Sequence, residues 1–353
     1  MSYFRPEIDA MAGYKPGEQP QAGKFIKLNT NENPYPASIS VATAVASRLE
    51  QGLARYPDPV GQSFRVRAAE VLGVEPDWIL CGNGSDDILT ILTRSFVGPG
   101  QWLRLPTPSY VLYKTLAKIQ GAESEEVAFN KDWTLPETFG IGGPNLRLAY
   151  LPNPNSPSGT QVSKDQIRKL ADSLPCPLVI DEAYADFAED NCIDLVKENE
   201  KIMVARTLSK SYALAGLRFG FLIAQPQMID QMMKVKDSYN CDSLSIAAAT
   251  AAIDDQAWVQ ANRLKVIATR QRMTLQMREM GFDVPDSAAN FVWATYPGRN
   301  LKAVYEFLKQ NKVLVRYMEY PNWDEGIRIS VGTDDQTDAC LSLIRMALDQ
   351  QGN

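Results

Sequence analysis

Between residues 78 and 223, short and mainly apolar runs alternate with longer amphipathic stretches, and this pattern narrows the possible folds more than any other. The runs are Trp78–Cys81, Trp102–Leu105, Leu146–Leu151, Pro177–Ile180, Lys201–Ala205 and Phe219–Ile223. Each has the length of a strand, and near-continuous apolar character marks strands buried on both faces. Segments 85–97, 109–120 and 163–174 space their apolar residues for helices. Strand and helix in alternation predict an α/β fold around a mostly parallel sheet. Upstream, helices are expected over Ala37–Leu53 and Phe64–Val71, parted by the breaker run ARYPDPVG. From Pro226 to Met280 breakers are few, which predicts long helices bridging two domains. Beyond them NFVWATY, VLVRYM and GIRISVG predict strands, with helices near 300–310 and 335–349. The expected division is an N-terminal arm (1–36) folding back onto the small domain, a large domain (37–250) and a small α+β domain (251–353).

Composition removes whole classes of chemistry. The 353 residues include no histidine, so Ser-His-Asp and Cys-His catalysis and histidine-ligated metals are excluded. An enzyme with this composition must move protons with lysine, cysteine, a carboxylate or a cofactor. Thirty-six basic against 42 acidic side chains leave a net charge of −6, which argues against nucleic acid or an anionic membrane as partner. No stretch is long and apolar enough to span a bilayer, and MSYFRPEIDAMAGYKPG lacks the apolar core of a secretory signal. The five cysteines are widely spaced without a C-x-x-C, as in reduced cytoplasmic proteins.

One set of residues carries the chemistry. Lys210 lies among hydroxyls in Thr207-Leu-Ser-Lys-Ser-Tyr-Ala-Leu-Ala-Gly-Leu-Arg-Phe-Gly220, directly after an expected strand. Leu178-Val-Ile-Asp181 ends another strand in a carboxylate, and Tyr184 follows. In open parallel sheets, ligands bind outside the carboxyl ends of the strands, where Asp181 and Lys210 would both stand. Pyridoxal phosphate needs such a set: an amine for its aldehyde, a carboxylate beside its ring nitrogen, and a cradle for its phosphate. Ser209 and Arg218 suit the cradle, and Cys81-Gly-Asn-Gly-Ser-Asp86 adds small residues that open a helix. The six-residue dinucleotide pattern fails there, because Asp87 stands where its third glycine belongs.

TLSKSYALAGLRFG, DEAYADF, RYPDP, PNSPSG and GIRISVGT together resemble the fold-type I pyridoxal-phosphate aminotransferases, and within them the histidinol-phosphate aminotransferase family. The likeness runs from Tyr14 to about Gly332. It implies that Lys210 bonds the cofactor, Asp181 faces the ring nitrogen, and Tyr184 meets the ring hydroxyl. It implies Gly84, Ser85, Ser209 and Arg218 at the cofactor phosphate, and Tyr110 stacked on the ring unless it is a core tyrosine. Tyr56 would reach the phosphate of a neighbouring subunit, which implies a homodimer. Where the family loop places an asparagine before its second proline, this chain has Ser156; the ring-oxygen contact is assigned to Asn155, with Ser156 as the alternative. Tyr14, Asn31, Arg316 and Arg328 are the implied substrate residues, and no metal is expected. The implied reaction passes an amino group between glutamate/2-oxoglutarate and imidazole-acetol phosphate/histidinol phosphate. An aromatic amino acid aminotransferase or a threonine-phosphate decarboxylase of the same fold is the alternative.

Overall fold

The computed structural model describes residues 2–11, 18 and 24–352. Its architecture is α/β. A seven-stranded sheet runs in the order Ile79–Gly82, Gly220–Ile223, Ile202–Thr207, Leu178–Asp181, Leu146–Pro152, Trp102–Thr107 and Glu123–Ala128. Only Gly220–Ile223 runs antiparallel to its neighbours. The apolar runs have a simple cause. Along Ile202–Thr207, Ile202 and Val204 pack into the apolar cluster on one face, while Met203 and Ala205 pack into that on the other. Leu178 and Ile180 against Val179 repeat this alternation one strand away. With both faces covered, neither can be polar.

Three elements differ from the expectation. Glu123–Ala128 (ESEEVA) is a strand that hydrophobicity does not reveal, because it lies at the sheet edge, where charged side chains face water and discourage further pairing. The stretch 226–280 is not nearly continuous helix. It divides into Pro226–Met232, Ser243–Asp254 and Gln256–Glu279, since Asp242 accepts from the Leu244 and Ser245 amides and Asp255 from the Trp258 amide, starting new helices. VLVRYM is two strands, and each half pairs with a different partner.

Val313–Leu314 pairs in parallel with Ile26–Lys27 near the N-terminus. Arg316–Met318 joins an antiparallel three-stranded sheet with Gly326–Ser330 and Phe291–Thr295. A separate apolar cluster fills this part, from Leu28 to Leu348 by way of Val292, Val304 and Ile329. The helix Gln256–Glu279 connects the regions: Val259 packs into the large-sheet core, and Met273 and Met277 into the small one. No helix among the described residues is long and apolar enough to cross a membrane.

Candidate active site

A cleft opens between the carboxyl ends of the large sheet's strands and the three-stranded sheet. It is lined from one side by Ser85, Tyr110, Asp181, Tyr184, Ser209, Lys210 and Arg218, and from the other by Arg316, Met318, Tyr320 and Arg328. Strand geometry explains the gathering. Asp181 is the last residue of its strand, and Lys210 follows three residues after the end of the neighbouring one.

Asp181 sits at the floor, 5 % exposed. Burial pushes its carboxyl up to about 6, against the opposing effect of the Tyr113 hydroxyl, which donates to Oδ2 at 2.6 Å, and the Ala183 amide, which donates to Oδ1 at 3.1 Å. Tyr113 is itself fully buried and stacked on Tyr150, with ring centroids 4.7 Å apart. Sequence reasoning passed over Tyr113. The available signal was its place three residues after Tyr110, which puts both tyrosines on one side of the segment, in edge contact.

Lys210 Nζ donates to the Thr30 carbonyl at 3.2 Å and lies 5.7 Å from the Tyr184 ring centroid. Its main chain is held by Asn33, whose amide donates to the carbonyls of Lys210 and Ser211. Asn31 lines the same cleft, but its amide donates to the Tyr184 hydroxyl at 2.9 Å and its backbone N–H to Ser330 Oγ at 2.8 Å. It therefore holds Tyr184 from within the cleft. Tyr14, the other arm residue, lies outside the described residues.

At the third corner, the helix Ser85–Phe96 presents its N-terminus beside Arg218. Arg218 Nη1 donates to Ser209 Oγ at 3.4 Å, and Nη2 lies 3.3 Å from Asp86 Oδ2. Gly84 has φ +84, and a Cβ there would stand 2.4 Å from Arg218 Nη2. A Cβ on Gly220 would meet the Ser85 amide nitrogen at 2.5 Å. Neither position has room for a side chain, so the two glycines let Arg218 and the strand Gly220–Ile223 pack closely against this helix N-terminus, an end of a helix where an anion is favoured. Tyr110 overhangs it, its hydroxyl donating to Asp86 Oδ1 at 3.1 Å.

On the facing wall, Arg316 and Arg328 are direct partners across neighbouring strands. Both guanidiniums therefore leave the sheet on one side, and Met318, two residues on, shares it. Arg328 Nη1 donates to Ser156 Oγ at 2.8 Å and Nη2 to the Asn29 carbonyl at 3.2 Å.

The loop 153–159 settles which side chain faces inward. Ser156 lines the cleft, whereas Asn155 is 1 % exposed and its amide donates within the loop, to Ser158 Oγ at 2.9 Å and the Pro108 carbonyl at 3.3 Å. Of the two candidates for the ring-oxygen contact, Ser156 is the one that lines the cleft, and the loop's own hydrogen bonds hold the Asn155 amide inside the loop. Tyr56 is not in the cleft of its own chain. It is 80 % exposed and stacks on Tyr239 with centroids 4.5 Å apart.

A buried carboxylate, a lysine amine within the same cleft, and a helix N-terminus with Ser85, Ser209 and Arg218 around it fit the three demands of pyridoxal phosphate. Among the described residues, no group of three or more cysteine, aspartate or glutamate side chains is placed to hold a metal.

The family model for class I and II aminotransferases matches residues 23–344. A histidinol-phosphate aminotransferase of Rhodopirellula baltica is 58 % identical over 346 residues, covering 98 % of this chain and 96 % of that protein. The chain belongs to the histidinol-phosphate aminotransferase family. Another member of the family, histidinol-phosphate aminotransferase 1 of Trichormus variabilis, is 45 % identical, with 98 % of each chain covered. The crystal structure of the Sinorhizobium meliloti histidinol-phosphate aminotransferase, in complex with pyridoxal-5'-phosphate, superposes with a TM-score of 0.90 at 25 % identity, covering 99 % of both chains. The fold is thus that of the fold-type I aminotransferases.

Proposed function

We propose that this aminotransferase holds pyridoxal phosphate in the cleft and exchanges amino groups between glutamate/2-oxoglutarate and imidazole-acetol phosphate/histidinol phosphate, in histidine biosynthesis. The observation that carries the reading is the opposition of two walls: Asp181 and Lys210 on one, and the cross-strand pair Arg316 and Arg328 on the other. Bound here, the cofactor supplies an aldehyde that exchanges amines and a ring that takes up electrons from the substrate's α-carbon.

The protein supplies the rest. Lys210 would hold the cofactor through its amine, and as a free amine in the cleft it would carry a proton to and from the substrate's α-carbon. Asp181 keeps a negative charge beside the ring nitrogen, and Tyr113 keeps that carboxylate in place. Tyr184 and Ser156 would meet the ring oxygen, Tyr110 would cover the ring, and Gly84, Ser85, Ser209 and Arg218 would hold the phosphate. Arg328 and Arg316 offer planar charged forks, suited to a substrate carrying two anionic ends. An apolar strip of Met318 and the Tyr320 ring adjoins them, where an imidazole would pack.

The same reading divides the chain into arm 1–36, large domain 37–250 and small domain 251–353, and makes it a cytoplasmic homodimer. Support for the dimer comes from the solvent-exposed Tyr56–Tyr239 stack, an aromatic surface suited to burial by a second copy, with Tyr56 reaching the neighbouring cleft.

Purified protein reconstituted with pyridoxal phosphate should transaminate histidinol phosphate with 2-oxoglutarate faster than phenylalanine. With threonine phosphate it should release no carbon dioxide. A preference for phenylalanine, or decarboxylation of threonine phosphate, would reject the substrate assignment while leaving the fold and cofactor in place.

A further inference from the structure

The loop Thr207–Gly220 carries Lys210 in a shape it would not hold alone. Ala213 (φ 58) and Arg218 (φ 59) both lie in the left-handed region, which residues with a Cβ enter only when surrounding contacts over-determine them. A buried network behind the cleft provides such contacts. Asp186, in the short turn after Tyr184, accepts from the Ser211 hydroxyl at one carboxylate oxygen and from the Arg206 guanidinium at the other. Arg206 also donates to Glu182 Oε2 at 2.7 Å, and both side chains are buried. The Asp186 carbonyl accepts from Arg263 Nε at 2.5 Å, and Arg263 Nη2 donates to the Ala188 carbonyl at 2.6 Å. One acidic residue therefore links the Tyr184 turn, the strand beside Asp181, the helix Gln256–Glu279 and the lysine loop.

We infer that Asp186, acting through Ser211, is a positioning residue for Lys210. It does not line the cleft, and neither do Ser211, Arg206 or Arg263, so the network acts on the lysine and not on substrate. Its carboxylate grips the side chain next to Lys210 while Asn33 grips the Lys210 and Ser211 carbonyls. Between these two holds the amine has a fixed origin from which to reach the cofactor. The inference rests on Lys210 being the reactive amine.

The test is hydrogen exchange by mass spectrometry on cofactor-free protein, for wild type, Ser211→Ala, Ser211→Thr and Asp186→Asn. Losing one hydrogen bond to a charged group should speed exchange of amides 208–214 about ten-fold in Ser211→Ala, and Ser211→Thr, which keeps the hydroxyl, should restore protection. In the loaded enzyme Ser211→Ala should lower kcat about ten-fold with KM within about two-fold, because a displaced amine impairs proton transfer and not substrate binding. Unchanged exchange in Ser211→Ala overturns the inference, even if Asp186→Asn fails to fold. So does a kcat that does not move, or an effect on KM alone. Borohydride reduction and peptide mapping of wild type separately locate the modified lysine. Faster exchange with an unmodified Lys210 would sink the reading of the lysine and still uphold the tether.

Discussion

The two walls of the cleft are built differently. On the large-sheet side the chemical groups stand at or just beyond strand ends and are held by residues of other elements: buried Asp181 by Tyr113 and Ala183, and half-buried Tyr184 by Asn31. On the facing side two long arginines project from a three-stranded sheet, half-buried and beside Met318 and Tyr320. Arg328 is held at its tip by Ser156 and the Asn29 carbonyl, so the contrast is one of reach. Short groups on the large sheet suit a cofactor that stays through many turnovers, and long charged forks suit substrates that alternate. Substitutions on the first wall should therefore lower kcat, and those on the second should raise KM.

The largest break should come from Lys210→Ala, which is expected to lower kcat by about 10³-fold or more, since proton transfer at the α-carbon loses its base. Steady-state rates together with the melting curve check it, and a folded variant turning over at the wild-type rate would remove Lys210 from the chemistry. Asp181→Asn should lower kcat on the order of a hundred-fold, by removing a charge aimed at the developing one.

That substitution also has a signature without cofactor. Burial holds the Asp181 carboxyl at about 6, while an ordinary aspartate titrates near 3.8. The folded chain keeps this proton longer than the unfolded chain, so as pH rises from about 4 to 6 the carboxyl's contribution to stability falls, and above that window it is constant. The fall is on the order of 3 kcal/mol. Urea unfolding of cofactor-free protein should show Asp181→Asn gaining on wild type across this window. Parallel curves would mean that the floor of the cleft is wetter than its burial indicates.

On the opposite wall, Arg316→Lys and Arg328→Lys should each raise KM for the phosphorylated amine about ten-fold with little change in kcat, because a point charge replaces a planar fork. A fall in kcat at constant KM would erase the distinction between the walls. Smallest is Tyr113→Phe, expected to reduce kcat by about three- to ten-fold, as Asp181 loses one hydrogen bond and its carboxyl is pushed further up. The pH dependence of kcat, displaced upward on its acid side, is the check.

What could be read from the residues divides by whether the cause was local. The central strands were legible because burial on both faces leaves an apolar run, and Lys210, Asp181 and Arg218 because their chemistry and order along the chain are unusual. Glu123–Ala128 stayed hidden, since an edge strand is defined by its neighbour and not by its own hydrophobicity. The helix starts at Asp242 and Asp255 were signalled by capping residues, but a stretch almost without glycine or proline masked them. Tyr113 and Asp186 bond across elements distant in sequence, so their partners emerge only in the folded chain. That Ser156 and not Asn155 lines the cleft has the same origin: the Asn155 amide is held by Ser158 and the Pro108 carbonyl.

The clamp between Asn31 and Ser330 joins positions 299 apart, and Asn290 ties the same arm residue by donating to its carbonyl at 3.0 Å. During synthesis, then, Tyr184 and Lys210 leave the ribosome long before the strand that completes their surroundings. A nascent or C-terminally truncated chain would own every cofactor-facing side chain of the large sheet and still lack a finished pocket.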